Sequence, residues 1–289
     1  MRSIPYYPGC TLTQTARNLD QSARAVMEKL GLRLEELPQW HCCGTVATLS
    51  TDNVMYHVAP VRVLVQAQKM GSRKLATLCS MCYNTLQRSN LHVREDEDHL
   101  QKINSFMDRE PDYDGGVEVL HLLQVLRDEI GFDGIREKVS RALDGLKVSC
   151  YYGCLLTRPK EIAIDDADGP HILEDLMEAL GAEPIEDPFA LECCGAYHVV
   201  EDRKLVTDCS QRILASAVRR GADLIVTSCP LCHYNLEVSQ NGGAPEVPIL
   251  YFTQLLALAL GIDADACSFD IHEVDPRVLL REKGLMVGG

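Results

Sequence analysis

The sequence predicts an α/β protein of two similar α/β domains, each with a short parallel sheet, related by internal duplication. Three observations carry that expectation. Ten of the thirteen cysteines fall into two five-member sets: a lone cysteine after glycine, an adjacent pair before glycine, then a C-x-x-C. The sets are Cys10, Cys42, Cys43, Cys79 and Cys82, then Cys154, Cys193, Cys194, Cys229 and Cys232. Away from the cysteines, Met27-Glu28-Lys29-Leu30-Gly31 is echoed by Met177-Glu178-Ala179-Leu180-Gly181 at an offset of 150. Short apolar runs alternate with helix-period segments, the pattern of strands and crossover helices.

In chain order, residues 3–7 read as an aromatic-rich strand delivering Gly9-Cys10. From Ala16, the apolar Leu19, Ala23, Val26, Met27 and Leu30 follow a helical period that Gly31 stops. Residues 32–37 form a second candidate strand leading into Cys42-Cys43-Gly44. Pro60 is expected to open a helix that Gly71 closes. Residues 75–78 are a buried-strand candidate, which puts Cys79-Ser80-Met81-Cys82 where strand turns into helix. Segment 91–116, with Arg94-Glu95-Asp96-Glu97-Asp98, reads as a solvated helix and loop. A strand over 117–120 and a helix over 122–130 follow. The second half repeats the series, with an Asp-rich insertion after Cys154 and a last strand and helix offset by near 130. The domains are expected to span 1–145 and 146–289. A repeat this long is a duplication and not a solenoid.

Composition narrows the role. With 46% hydrophobic and 24% charged residues the chain can bury a core. A net charge of −14 disfavours nucleic acid or an anionic membrane as the main partner. No secretory leader is visible at the start. The apolar stretch 247–260 is broken by Pro248, Thr253 and Gln254, and falls short of the about 20 residues a spanning helix needs. A cytoplasmic protein without direct membrane insertion is expected, where cysteines serve metal or redox chemistry more often than structural bridges.

Three chemistries use such cysteines. Structural zinc takes four ligands, fewer than either set supplies. A dithiol redox motif at a helix start explains each C-x-x-C but leaves the other six cysteines idle. Iron–sulfur binding draws thiolates from separate segments and uses every member of both sets. Ligands at the starts of helices would also place backbone N–H groups beside an anionic cluster.

The two sets resemble the cysteine-rich CCG domain, and the doubled form resembles the B-type subunit of heterodisulfide reductase, over essentially the whole chain. The resemblance implies one noncubane 4Fe–4S cluster per half. One would be held by Cys10, Cys42, Cys43, Cys79 and Cys82, the other by Cys154, Cys193, Cys194, Cys229 and Cys232. It further implies that a disulfide is reduced to two thiols between the clusters. Electrons would come from two partners, a ferredoxin-like iron–sulfur subunit and, beyond it, a flavin-containing subunit. No G-x-G-x-x-G follows a candidate strand, so the chain itself shows no nicotinamide or flavin motif. Related CCG proteins act in lactate, glycolate or fumarate metabolism, so a non-catalytic electron-transfer subunit is the alternative.

Other residues carry weaker signals. Gly44 and Gly195 are expected to let the backbone approach a ligand closely. His198, opposite Thr48 in the repeat, is a candidate substrate-facing or structural histidine. Cys150 reads as strand-end packing and Cys209, opposite Ala59, as a buried small hydrophobe. Nothing around Cys267 points to a site, and nothing makes His41 or His233 a ligand. Both cysteine sets are expected to line a single cleft between the halves.

Overall fold

The computed structural model describes residues 2–45, 53–240 and 246–286. Among the described residues eight strands form in chain order: β1 Arg2–Tyr7, β2 Leu32–Glu36, β3 Lys74–Thr77, β4 Glu118–His121, β5 Lys147–Cys150, β6 Glu183–Ile185, β7 Leu224–Thr227 and β8 Ile249–Tyr251. They make two four-stranded sheets, β2-β1-β3-β4 and β6-β5-β7-β8, with every pairing parallel. This is the duplicated α/β architecture that the repeat predicts. In each sheet the strand order reverses between the two central strands, β1 and β3 or β5 and β7. A crevice opens at the carboxyl ends of strands at such a switch point, and ligands bind there.

The helices form for local reasons visible in the chain. Arg17–Leu30 buries Leu19, Ala23, Val26, Met27 and Leu30 on one face and stops at Gly31, whose φ of 92° terminates it. Val58–Lys69 begins two residues before Pro60, after a 3-10 turn Val54–His57, because proline is tolerated anywhere in the first turn. Segment 91–116 is helix and loop as expected, but it buries Ile103 and Tyr113 where a solvated segment would not. Ser80–Glu95 runs into it, and Glu97–Phe106 follows, capped by the Asp96 side chain. Asn104 then pins Tyr113, whose hydroxyl donates to the Asn90 side chain at 2.7 Å. The offset of 130 in the last unit has a physical counterpart. Gln124 and Gln254 each accept the backbone N–H of the residue ending the preceding strand, His121 or Tyr251, at 2.9 Å.

The halves pack through reciprocal elements. Arg17–Leu30 of the first lies on Phe252–Ala259 of the second, where the Ser22 and Thr253 hydroxyls meet at 2.7 Å. Ile172–Ala179 of the second packs on Phe132–Arg136 of the first. Near the centre, Ser80 and Ser228, one beside each C-x-x-C, share a buried hydrogen bond of 2.9 Å. Helix Ser80–Glu95 grips the segment after Cys154: Tyr83 donates to the Ile162 carbonyl, and Asn84 Nδ2 to those of Leu155 and Arg158 at 2.9 and 2.6 Å. Asn84→Ala leaves two carbonyls without that donor. It is expected to lower the unfolding free energy by about 2 kcal/mol in denaturant titrations. An unchanged midpoint would mean this junction adds nothing to stability.

Candidate metal centres

Each set of five cysteines is assembled at its sheet's switch point. Cys10 follows β1 and Cys79 follows β3, the strands on either side of the reversal, while Cys42 and Cys43 follow β2. Cys154, Cys229 and the pair Cys193-Cys194 hold the same places after β5, β7 and β6. Cys79 and Cys229 are the N-caps of Ser80–Glu95 and Pro230–Val238, so the helix starts point at the sulfurs. Cys43 Sγ lies 3.7 Å from Cys82 Sγ, and Cys194 Sγ lies 3.6 Å from Cys232 Sγ. Cys10, Cys42 and Cys193 are exposed, Cys154 is half-buried and the other six are buried.

Close packing over the strand ends explains the glycines before the lone cysteines. Gly9 and Gly153 take φ of 74° and 64°. A Cβ on Gly9 would stand 2.9 Å from Cys82 Sγ, and one on Gly153 would stand 3.1 Å from Cys232 Sγ. Gly44 and Gly195 also have positive φ, but their crowding comes from protein. A Cβ would meet Ala59 at 3.4 Å in the first case and Val206 at 2.8 Å in the second. Gly195 and His198 do line a cavity, together with Cys193. Thr48 lies outside the described residues.

In each set some sulfurs are held as thiolates by hydrogen bonds from the others, which keep their protons. Cys43 is lowered to about 3 by hydrogen bonds from Cys42 and Cys82, and both of those donors are raised in return. Cys79 is lowered by Cys82. In the second set Cys193 is lowered to about 6, chiefly by Cys154, and Cys194 is lowered by Cys232. Such mutually supporting thiolates suit a soft cation that replaces the shared protons. Among the described residues no three of the thiol sulfurs lie within 4.8 Å of one another. A single tetrahedral ion with bonds of about 2.3 Å needs its sulfurs closer than that, so the spread fits a larger metal group.

Several supporting residues were not singled out by the sequence. Tyr7 and Tyr151, each three residues before a lone cysteine, donate to the carbonyls of His41 and Glu192 at 2.8 Å. They pin the loops that carry the adjacent pairs, and their equal spacing was the available signal. Asn235 Nδ2 donates to Cys194 Sγ at 3.3 Å and to the Ala196 carbonyl at 2.9 Å. Its counterpart Thr85 reaches Thr45 instead, at 3.3 Å. Cys150 is buried at a strand end, as expected, and Cys267 is buried too. Cys209 differs from expectation. It is half-buried and lines a cavity with Cys193, because its helix packs directly over the Cys193-Cys194 loop.

Three adjoining cavities surround the cysteines. The first set opens on about 510 Å³, walled on the far side by Tyr197, His233, Tyr234, Glu237 and Tyr251 of the second half. The second set lines a small space of about 20 Å³ and a larger one of about 350 Å³ that also touches Gly195, His198 and Cys209. Met81 borders all three cavities, and Leu231, its equivalent in the other C-x-x-C, borders two. Both sets therefore face the junction of the halves, divided there by these side chains.

The equivalent exposed cysteines Cys42 and Cys193 should behave oppositely in metal-free protein. The thiolate is the nucleophile, and Cys193 accepts a hydrogen bond where Cys42 gives one. Iodoacetamide at neutral pH is expected to label Cys193 first, at a rate that falls as the pH drops through about 6. Equal labelling of Cys42 would contradict this proton arrangement.

A family model described as a cysteine-rich domain, CCG, matches residues 4–87 and 148–237. The chain is 32% identical over 282 residues to the 8-methylmenaquinol:fumarate reductase membrane anchor subunit of Wolinella succinogenes, covering 95% of this chain and 98% of that one. It is 29% identical to the B-type subunit of the ferredoxin/F(420)H(2)-dependent CoB-CoM heterodisulfide reductase of Methanosarcina acetivorans, over 95% and 94% of the two chains. A protein of Archaeoglobus profundus, named as similar to the same heterodisulfide reductase subunit, is 28% identical over 94% and 96%. Among solved structures, a hypothetical protein from Helicobacter pylori superposes with a TM-score of 0.75 at 12% identity. It covers 95% of this chain, which spans about half (52%) of that one, and supports the fold alone. No helix among the described residues is long and apolar enough to cross a membrane. The chain belongs to the cysteine-rich CCG domain family, carries that domain twice, and is a protein like the B-type subunit of heterodisulfide reductase.

Proposed function

We propose that this chain is the catalytic iron–sulfur subunit of a heterodisulfide reductase-like complex that reduces a disulfide to two thiols. The observation that carries the reading is the placement of two five-thiol sets at facing switch points, beside a cavity of about 510 Å³. All five thiols of the first set line that cavity, so the metal group and a substrate would share it. Cys10, Cys42, Cys43, Cys79 and Cys82 would hold one noncubane 4Fe–4S cluster, and Cys154, Cys193, Cys194, Cys229 and Cys232 the other. The domains would divide at 145/146. When bound, the clusters supply one electron each to the disulfide. The chain's own part is to direct shared protons away from Cys43, Cys79, Cys193 and Cys194, to hold Met81 and Leu231 between the two sets, and to wall the cavity with Tyr197, Tyr234 and Tyr251. Gly44, Gly195 and His198 belong to the reading as substrate-side residues. The electron sources would be a ferredoxin-like and a flavin-containing subunit, in the cytoplasm.

A second reading is favoured by one specific observation. The Wolinella relative is named as part of a fumarate reductase, so a chain of this shape can serve in an assembly whose named substrate is not a disulfide. In that case the two centres only relay electrons. In both readings the cavity beside the first set, lined by all five of its thiols, is first the room for the metal group.

The test is anaerobic purification with bound partners, followed by iron and sulfide analysis and turnover with a panel of disulfides that includes the CoB–CoM heterodisulfide. About eight irons per chain are expected. Cys43→Ser and Cys194→Ser should each perturb one centre in electron paramagnetic resonance and spare the other, and Cys209→Ala should spare both. Zinc without sulfide would sink the cofactor assignment. Full iron with no turnover on any disulfide would favour the relay.

A further inference from the structure

Asn235 lies on helix Pro230–Val238, three residues after Cys232, and is fully buried. Its orientation is fixed by a neighbour that can only accept. The Ala196 carbonyl stands 2.9 Å from one terminal atom of the side chain, so that atom is the amide nitrogen, Nδ2. The same nitrogen donates to Cys194 Sγ at 3.3 Å. The amide oxygen Oδ1 is buried and, among the described residues, accepts no hydrogen bond. Burying an amide with one end unsatisfied destabilises a fold, and a leucine of similar size would avoid that cost. The side chain therefore suits its two donations better than it suits packing.

The first half has no such donor. The repeat puts Thr85 opposite Asn235 and Cys43 opposite Cys194. The Thr85 hydroxyl gives its one proton to the Met81 carbonyl at 2.8 Å, with Thr45 Oγ1 at 3.3 Å, and not to sulfur. The other donors are balanced between the halves. Backbone N–H groups of Gly44 and Thr45 serve Cys42 and Cys43 as those of Gly195 and Ala196 serve Cys193 and Cys194. Tyr7 also stands near Cys43, but its hydroxyl proton goes to the His41 carbonyl, as that of Tyr151 goes to Glu192. The Thr11 hydroxyl comes only within 3.9 Å of Cys10 Sγ, in an exposed setting. Beside Cys193 two charges oppose each other, His198 favouring its thiolate and Glu192 disfavouring it.

We propose that Asn235, acting through Cys194, makes the second iron–sulfur centre the more easily reduced of the two. This rests on the two-cluster reading proposed above, whichever substrate the centres serve. Reduction adds one electron, taken from a low-potential iron–sulfur donor, and part of the added charge falls on the ligand sulfurs. An N–H aimed at such a sulfur stabilises that charge, so the reduced form is favoured and the potential rises. The gain is larger where both partners are buried, as Asn235 and Cys194 are. Asn235 is a positioning residue in this step, since its N–H stays on nitrogen and no proton is transferred. The cavity of about 510 Å³ is lined by all five thiols of the first set and by none of the second. A singly reduced chain thus holds its electron at the set away from that cavity, and the first set is reduced only when a second electron arrives.

The test is a redox titration of the intact anaerobic complex, read by electron paramagnetic resonance. Two midpoints are expected in the wild type. The upper one should belong to the signal missing from Cys194→Ser, and the lower one to the signal missing from Cys43→Ser. Asn235→Leu should keep its iron and lower only the upper midpoint, shifting electron exchange between the centres about tenfold, or about 59 mV for one electron. Asn235→Ala should give the same fall if the leucine variant fails to bind iron at the second set. Thr85→Val should move neither midpoint. Coincident or reversed midpoints in the wild type overturn the proposal, and so does an unmoved upper midpoint in an iron-loaded Asn235 variant, the result of a mere tie to Ala196. A chain without two titrating centres overturns the two-cluster reading as well. Two titrating centres with no turnover on any disulfide contradict the catalytic reading alone.

Discussion

In each half a cysteine sulfur passes over the end of a central strand, and much of the architecture accommodates that contact. Cys82 Sγ lies 2.9 Å from where a Cβ on Gly9 would stand, and Cys232 Sγ lies 3.1 Å from one on Gly153. The strand end can bend beneath the sulfur only with a positive φ, which glycine adopts without penalty. The bend delivers Cys10 or Cys154 to the switch point from one side as the C-x-x-C arrives from the other. Tyr7 and Tyr151 close the third side by tying down the loops of the adjacent pairs. Three chain segments thus converge because one residue in each half has no side chain.

Much of this was legible in the sequence because it depends on local order. Cysteine spacing placed the two cysteine sets after strands, and Gly31 and the offset of 150 revealed the duplicated units. Features that depend on distant segments were not legible. His272 reaches Glu237 and His233 from the C-terminal segment, and no local pattern announces that meeting. Cys209, read as core through its partner Ala59, sits on a cavity wall because the loop beneath it carries Cys193. The charged segment after Cys82 looked solvated from its composition, yet Ile103 is buried and Tyr113 is locked by Asn90 and Asn104. Composition reports the exposed face of a helix more readily than its single buried stripe.

The duplication is not functionally even. The first set faces the larger cavity, and the polar residues of its far wall, including His233, Glu237 and Tyr251, come from the second half. The second set has a direct donor to sulfur in Asn235, where the first half has Thr85.

The central claim is that two separate iron centres face each other across the junction of the halves. Anomalous diffraction at the iron absorption edge, from crystals of anaerobically prepared protein, tests it most directly. The account predicts two groups of iron peaks, one within bonding distance of Cys10, Cys42, Cys43, Cys79 and Cys82, the other at the equivalent five, with Met81 and Leu231 between them. Iron at only one set, or a single zinc peak at either, would contradict it.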